Sequence, residues 1–139
     1  MMPTLSVWML RLSLVYLLIT ALSGSVLLIH KSIPLHAAVW SLLPIHFEIA
    51  IWGWLVQFVM GTAYWMFPRY LTGTKRGNEI YIVISVILLN AGILLLVSAP
   101  FISPEGAIKA ISRFVIIVSV ALFSASLWNR VLSYRRVPH

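Results

Sequence analysis

The chain has 139 residues, 61% hydrophobic and 9% charged, with a formal charge of +7 and no cysteine. A soluble domain carries about 25% charged residues, so this composition belongs in lipid, and the length holds one domain, residues 1–139. The positive residues sit between and after apolar segments, which sets membrane topology and argues against nucleic acid. Without cysteine the chain has no disulfide, iron–sulfur cluster, thiolate zinc site or covalently attached haem.

A membrane crossing needs about 20 mostly apolar residues. Four segments qualify: 6–29, 45–67, 80–99 and 107–132. The first is longer than the roughly 7–15 residues of a signal-peptide core, so a retained helix is expected. Arg11 lies about one turn inside it and can snorkel to the near interface. Pro34 and Pro44, then Gly73 and Gly77, then Pro100, Pro104 and Gly106 punctuate the breaks. The predicted fold is all-α, a four-helix transmembrane bundle in the lipid bilayer.

Orientation follows from lysine and arginine. Arg69, Lys75 and Arg76 fill the second connection, and Arg130, Arg135 and Arg136 end the chain. The first connection offers only Lys31, and the third only Lys109 with nearby Arg113. The positive-inside rule therefore predicts both termini in the cytoplasm. His30, His36, His46, Glu48, Lys109 and Arg113 then gather near the outer face.

The second segment carries the clearest pattern. Steps of three and four from His46 pass through Ala50, Gly53, Gln57, Gly61, Tyr64 and Pro68. They trace one stripe of a helix, small or polar, while the other faces are bulky. Such a wall suits a macrocycle or a neighbouring helix. His46 reads as an axial haem ligand, a metal ligand, or an interfacial histidine bonded to a carbonyl. Glu48, two residues on, points to roughly the opposite side, toward headgroups, Lys31, Lys109 or a partner subunit. His30 is a candidate second ligand or a connection histidine, and His36 reads as the latter. Arg113 lies about 9 Å along the fourth helix at 1.5 Å per residue, placed to hold a haem propionate, pair with Glu48, or snorkel. Asn90, Gly92, Ser119, Ser124 and Ser126 read as helix–helix contacts. No phosphate loop, HExxH zinc motif or nucleophile–base set is present, so catalysis by the chain alone is not expected.

The run Pro44-Ile45-His46, then Gly53-Trp54, Gly61, Tyr64 and Pro68-Arg69, resembles the second helix of haem–copper oxidase subunit I. It is most similar to the C-type oxidase and nitric-oxide-reductase branch and to short four-helix subunit-I-like proteins. The likeness covers about 26 residues. It implies a respiratory electron-transfer subunit in a prokaryotic plasma membrane, with other membrane subunits or a homodimer mate as partners. It also implies haem b as cofactor, with His46 as an axial ligand near the outer face and the ring lying against Ala50, Gly53 and Gln57. Arg113 would hold propionates, and His30, a symmetry mate or another chain would supply the second ligand. The chain departs from the family where short relatives carry His-x-His, here His46 followed by Glu48. It also stops short of the helices that hold the family's haem–copper centre. The alternative expectation is a cofactor-free scaffold or assembly subunit. A third, copper handling by His30, His36 and His46, is weakened by Met60 and Met66 lying far down the helix.

Overall fold

The computed structural model describes residues 2–68, 79–102 and 106–135. All regular structure among them is helical. The order is α1 (Thr4–Ser32), a 3₁₀ turn (Ala37–Ser41), α2 (Leu42–Glu48), a π-helical stretch (Ile49–Val56), α3 (Gln57–Met66), α4 (Ile80–Ile102) and α5 (Ala107–Arg135). From the 3₁₀ turn to α3 the chain runs on as one crossing. Four helices are long and apolar enough to span a bilayer: Thr4–Ser32, Ala37–Met66, Ile80–Pro100 and Ala107–Trp128. The expected all-α architecture is therefore present, in a chain built to lie in lipid.

Two helices run through prolines expected to mark their ends. The second span begins at Ala37, ahead of residue 45, because Pro44 does not break it. Pro44 is the third residue of α2, inside the first turn, where its missing N–H has no intrahelical partner to lose. Pro100 lies inside α4, within its last turn, and likewise fails to stop the helix. Gly106 does act as punctuation, with φ of 82° ahead of α5. Arg69, Gly73, Lys75, Arg76, Gly77, Pro104 and Arg136 lie outside the described residues.

The helices pair as two hairpins, α1 with the second span and α4 with α5. In lipid there is little hydrophobic force between helices, so close approach and hydrogen bonds hold them. Gly92 lets α5 approach α4: a Cβ there would lie 2.7 Å from Ile116 Cγ1 and 3.3 Å from the Ser112 carbonyl. Beside it Ser119 Oγ donates to the Ser85 carbonyl at 2.6 Å, with both residues buried. Leu89, Ile93, Ile116 and Phe123 complete that core. Ser124 and Ser126, expected at helix contacts, instead donate to carbonyls of their own helix.

The hairpins are joined by polar links at both ends. Near the start of the second span, Arg113 Nη2 donates to Glu48 Oε1. At its other end Arg130 is 1% exposed. Its Nε donates to the Pro68 carbonyl at 2.9 Å, and its Nη2 donates to Phe67 at 2.8 Å and Tyr64 at 3.5 Å. The last carbonyls of a helix lack intrahelical partners and carry the negative end of its dipole, so a guanidinium from α5 caps α3. Tyr64 OH donates to Glu79 Oε1 at 2.8 Å, tying the same end to the start of α4.

Between these links the second span and α5 part. They leave an apolar groove of about 630 Å³, walled by Leu55, Val59 and Ala63 on one side and Phe123, Leu127 and Trp128 on the other.

The two arginines separate in cost. Arg130→Ala removes charged donors from buried carbonyls and is expected to lower stability by about 2–3 kcal/mol. Arg113→Ala, whose side chain is 57% exposed, is expected to cost less than about 1 kcal/mol. Reversible denaturation in detergent micelles, followed by circular dichroism, measures both.

Candidate functional site

The small stripe of the second span faces α1. α1 carries a matching stripe, with Ser6, Met9, Ser13, Thr20, Leu27 and His30 buried. The two stripes close on each other from end to end. A Cβ on Gly61 would lie 3.1 Å from Met9 Cβ and 3.2 Å from the Leu10 side chain. Gln57 is fully buried, and its Nε2 reaches the Met9 carbonyl at 3.4 Å.

At Gly53 the seam is tightest. A Cβ there would lie 2.6 Å from Tyr16 Cγ and within about 3 Å of both Cδ atoms. The ring occupies the space that a side chain would take. Its hydroxyl passes on to α4 and donates to Asn90 Oδ1 at 2.9 Å. Asn90 Nδ2 donates to the Val86 carbonyl, which leaves Oδ1 to accept. Gly53 is thus a passage that lets α1 hydrogen-bond a helix of the other hairpin.

His46 lies in the same seam near the start of the second span, its ring against Gly24 of α1. A Cβ on Gly24 would lie 2.9 Å from its Cε1. Nδ1 is 3.1 Å from the Thr20 carbonyl and 3.1 Å from Ser23 Oγ. A carbonyl can only accept, so Nδ1 carries the proton. Ser23 spends its own hydrogen on the Thr20 carbonyl at 3.0 Å and accepts from the imidazole. In the neutral ring Nε2 then holds the lone pair, and it has no hydrogen-bond partner among the described residues. An N–H fixed by a backbone carbonyl is how proteins orient an imidazole for ligation.

The other expected site residues lie elsewhere. His30 is buried in the last turn of α1, edge-on to Trp40 at 5.3 Å, and its Nδ1 accepts from the Leu35 amide at 3.0 Å. Its Nε2 therefore carries the hydrogen when neutral, and neither nitrogen offers a lone pair to a metal. His36 Nδ1 accepts from the Ala38 amide and caps the 3₁₀ turn. Glu48 faces away from His46, as its spacing predicts: Oε1 meets Arg113 and Oε2 accepts from Trp52 Nε1 at 2.9 Å. Arg113 is thus engaged with a carboxylate of this chain. Among the described residues no three histidine, aspartate or glutamate side chains converge as a metal site.

The π-helical stretch displaces one stripe position. Ile49, Gly53 and Gln57 are the buried residues through it, spaced by four, and Ala50 is half-buried. A ladder of i→i+5 bonds turns less per residue than an α-helix, so inward positions recur every four residues and Ile49, not Ala50, lines up with Gly53 and Gln57.

The seam fits a helix and not a macrocycle. A haem plane against Gly53 and Gln57 meets the Tyr16 ring and the Met9 backbone. What favours ligation is confined to the tautomer of His46. Tyr16, Thr20, Ser23 and Gly24, which stood outside the sequence reading, build this region with Asn90, which was expected at a helix–helix contact. The signal for the first four was the small and polar period of three to four along α1. No protein-family model, curated protein or solved structure matches this chain.

Gly53→Ala is expected to displace the Tyr16 ring and cost about 1–3 kcal/mol. Tyr16→Phe keeps the packing and loses one hydrogen bond, about 0.6 kcal/mol. Shifts in denaturation midpoint give the first value, and a cycle with Asn90→Ala isolates the second.

Proposed function

We propose that this chain is a structural subunit of a membrane electron-transfer complex, holding its fold without a cofactor between its first two spans. The supporting observation is the Tyr16 ring seated against Gly53, which fills the wall where a planar group would lie. The stripe then serves helix packing, and the rest of the surface is available to other membrane subunits or a second copy. The complex and the prokaryotic plasma membrane rest on the resemblance of 44–69 to oxidase subunit I. The cytoplasmic placement of both termini rests on the lysine and arginine bias. Four crossings return the chain to the side where it began. No residue set for catalysis by the chain alone accompanies this reading.

One observation favours a second reading. The proton on His46 Nδ1, held by Thr20, leaves Nε2 as a ligand nitrogen. A haem b bound there through iron would supply one-electron transfer, its potential tuned by its axial ligands. His30 cannot complete a bis-histidine pair in its present tautomer, so the second ligand would come from another chain.

A reduced-minus-oxidised optical spectrum of the purified protein separates the two. The structural reading expects no α or Soret band. It also expects His46→Ala to lower stability by about 1 kcal/mol through lost hydrogen bonds. Sharp α and Soret bands that disappear in His46→Ala would establish the haem subunit instead.

A further inference from the structure

Where α4 ends and α5 begins, both helices meet the start of the second span around a small cleft. Ile45, Leu96, Val97 and Pro100 give it an apolar wall, and Glu48, Lys109 and Arg113 a polar one. Lys109 and Arg113 stand four residues apart on one face of α5. These groups differ in what they have left to offer. Both Glu48 oxygens are engaged, Oε1 by Arg113 and Oε2 by Trp52 Nε1. Arg113 commits Nη2 to that carboxylate, and its Nε and Nη1 have no partner among the described residues. The Lys109 ammonium has no partner among them either. The cleft thus presents unspent cationic donors beside a carboxylate that is already paired. In sequence Glu105 stands four residues ahead of Lys109, outside the described residues, so formal charge at this end is balanced. What the cleft offers is donors at short range, not an excess of charge.

Size and depth narrow the ligand. At about 50 Å³ the cleft exceeds the roughly 10–15 Å³ that one water needs and admits only a few heavy atoms. The two free oxygens of a phosphodiester are such a group. Pro100 ends one apolar span and Lys109 is the third residue of the next, so the cations stand where hydrocarbon gives way to headgroups. One turn deeper in α4, Leu96 and Val97 offer an apolar surface. A soluble anion would use the polar wall alone, and a phospholipid uses both. Basic pockets between transmembrane helices bind lipid headgroups. We infer that this cleft binds the phosphate of one phospholipid from the leaflet opposite the chain termini. Lys109 donates to the phosphate, joined by the Arg113 N–H groups that Glu48 leaves free. The first methylenes of the acyl chains lie on Ile45, Leu96 and Val97.

Native mass spectrometry of the full chain in micelles doped with phosphatidylcholine or with diacylglycerol of the same acyl chains tests this. The first lipid carries the phosphate without net charge, and the second lacks it. The expected result is a one-to-one phosphatidylcholine adduct retained at collision energies that strip diacylglycerol. Lys109→Gln should lower that retention about five-fold, and Lys109→Arg should keep it. Lys31→Gln, in the last turn of α1 at the same end of the bundle, should leave it unchanged. Val97→Trp fills the cleft and should abolish the adduct, with Ile45→Trp in its place where the first loses helical circular dichroism. Equal retention of the two lipids overturns the inference, because the phosphate is then not recognised. Equal losses from Lys109→Gln and Lys31→Gln also overturn it, since they indicate surface attraction only. So does displacement of the lipid by excess inorganic phosphate, which marks a site for a soluble anion.

Discussion

Two helical hairpins must be fastened together where apolar contact contributes little, since lipid tails solvate leucine as well as another leucine does. The chain meets this constraint with polar groups placed at three depths. Arg130 takes the last carbonyls of α3 at one end. Glu48 meets Arg113 at the other. Between them Tyr16 reaches past Gly53 to Asn90. Each link crosses from one hairpin to the other, and the groove lies where the hairpins are held apart. Arg130 carries most of the load. Among the described residues it is the buried arginine, and the groups it satisfies are carbonyls at a helix end, which lack intrahelical donors.

The same constraint explains the seam between α1 and the second span. Its glycines and serines are not spare volume. Gly24 accepts the His46 ring, Gly53 accepts the Tyr16 ring, and Gly61 lies against Met9 and Leu10. A wall that looks smooth when one helix is read alone is already matched by knobs on its neighbour. This favours a structural subunit over a haem carrier. The His46 tautomer is the feature that keeps a ligand role in view, and it costs the seam nothing.

The number of spans and the all-helical class were legible because both follow from length and hydropathy. The second-span stripe was legible too, as was the divergence of His46 from Glu48. What filled the stripe was not, because a small residue records that something comes close without recording what. α1 held the answer in its own period of Ser6, Ser13, Tyr16, Thr20 and Ser23, which a hydropathy reading averages away. The cap made by Arg130 was illegible for a similar reason. An arginine near the end of an apolar segment counts toward topology, and nothing local announces that it folds back onto carbonyls 64–68. Pro44 and Pro100 marked ends only loosely: a proline in a first turn costs a helix little, and α4 runs just past Pro100 to Ile102.

The π-helical stretch Ile49–Val56 has a consequence for how this span tolerates changes of length. A wider ladder accommodates a surplus residue that an α-helix of the same height would have no place for. Excising one residue there lets the backbone close into ordinary i→i+4 bonding without shortening the crossing appreciably. The segments above and below then keep their facing, because the wider turn covers about the same rotation with one residue more, and the imidazole stays on its α1 carbonyl and the carboxylate on its guanidinium. A one-residue deletion there is thus absorbed by the ladder, an option that this helix has and the described parts of its three companions lack.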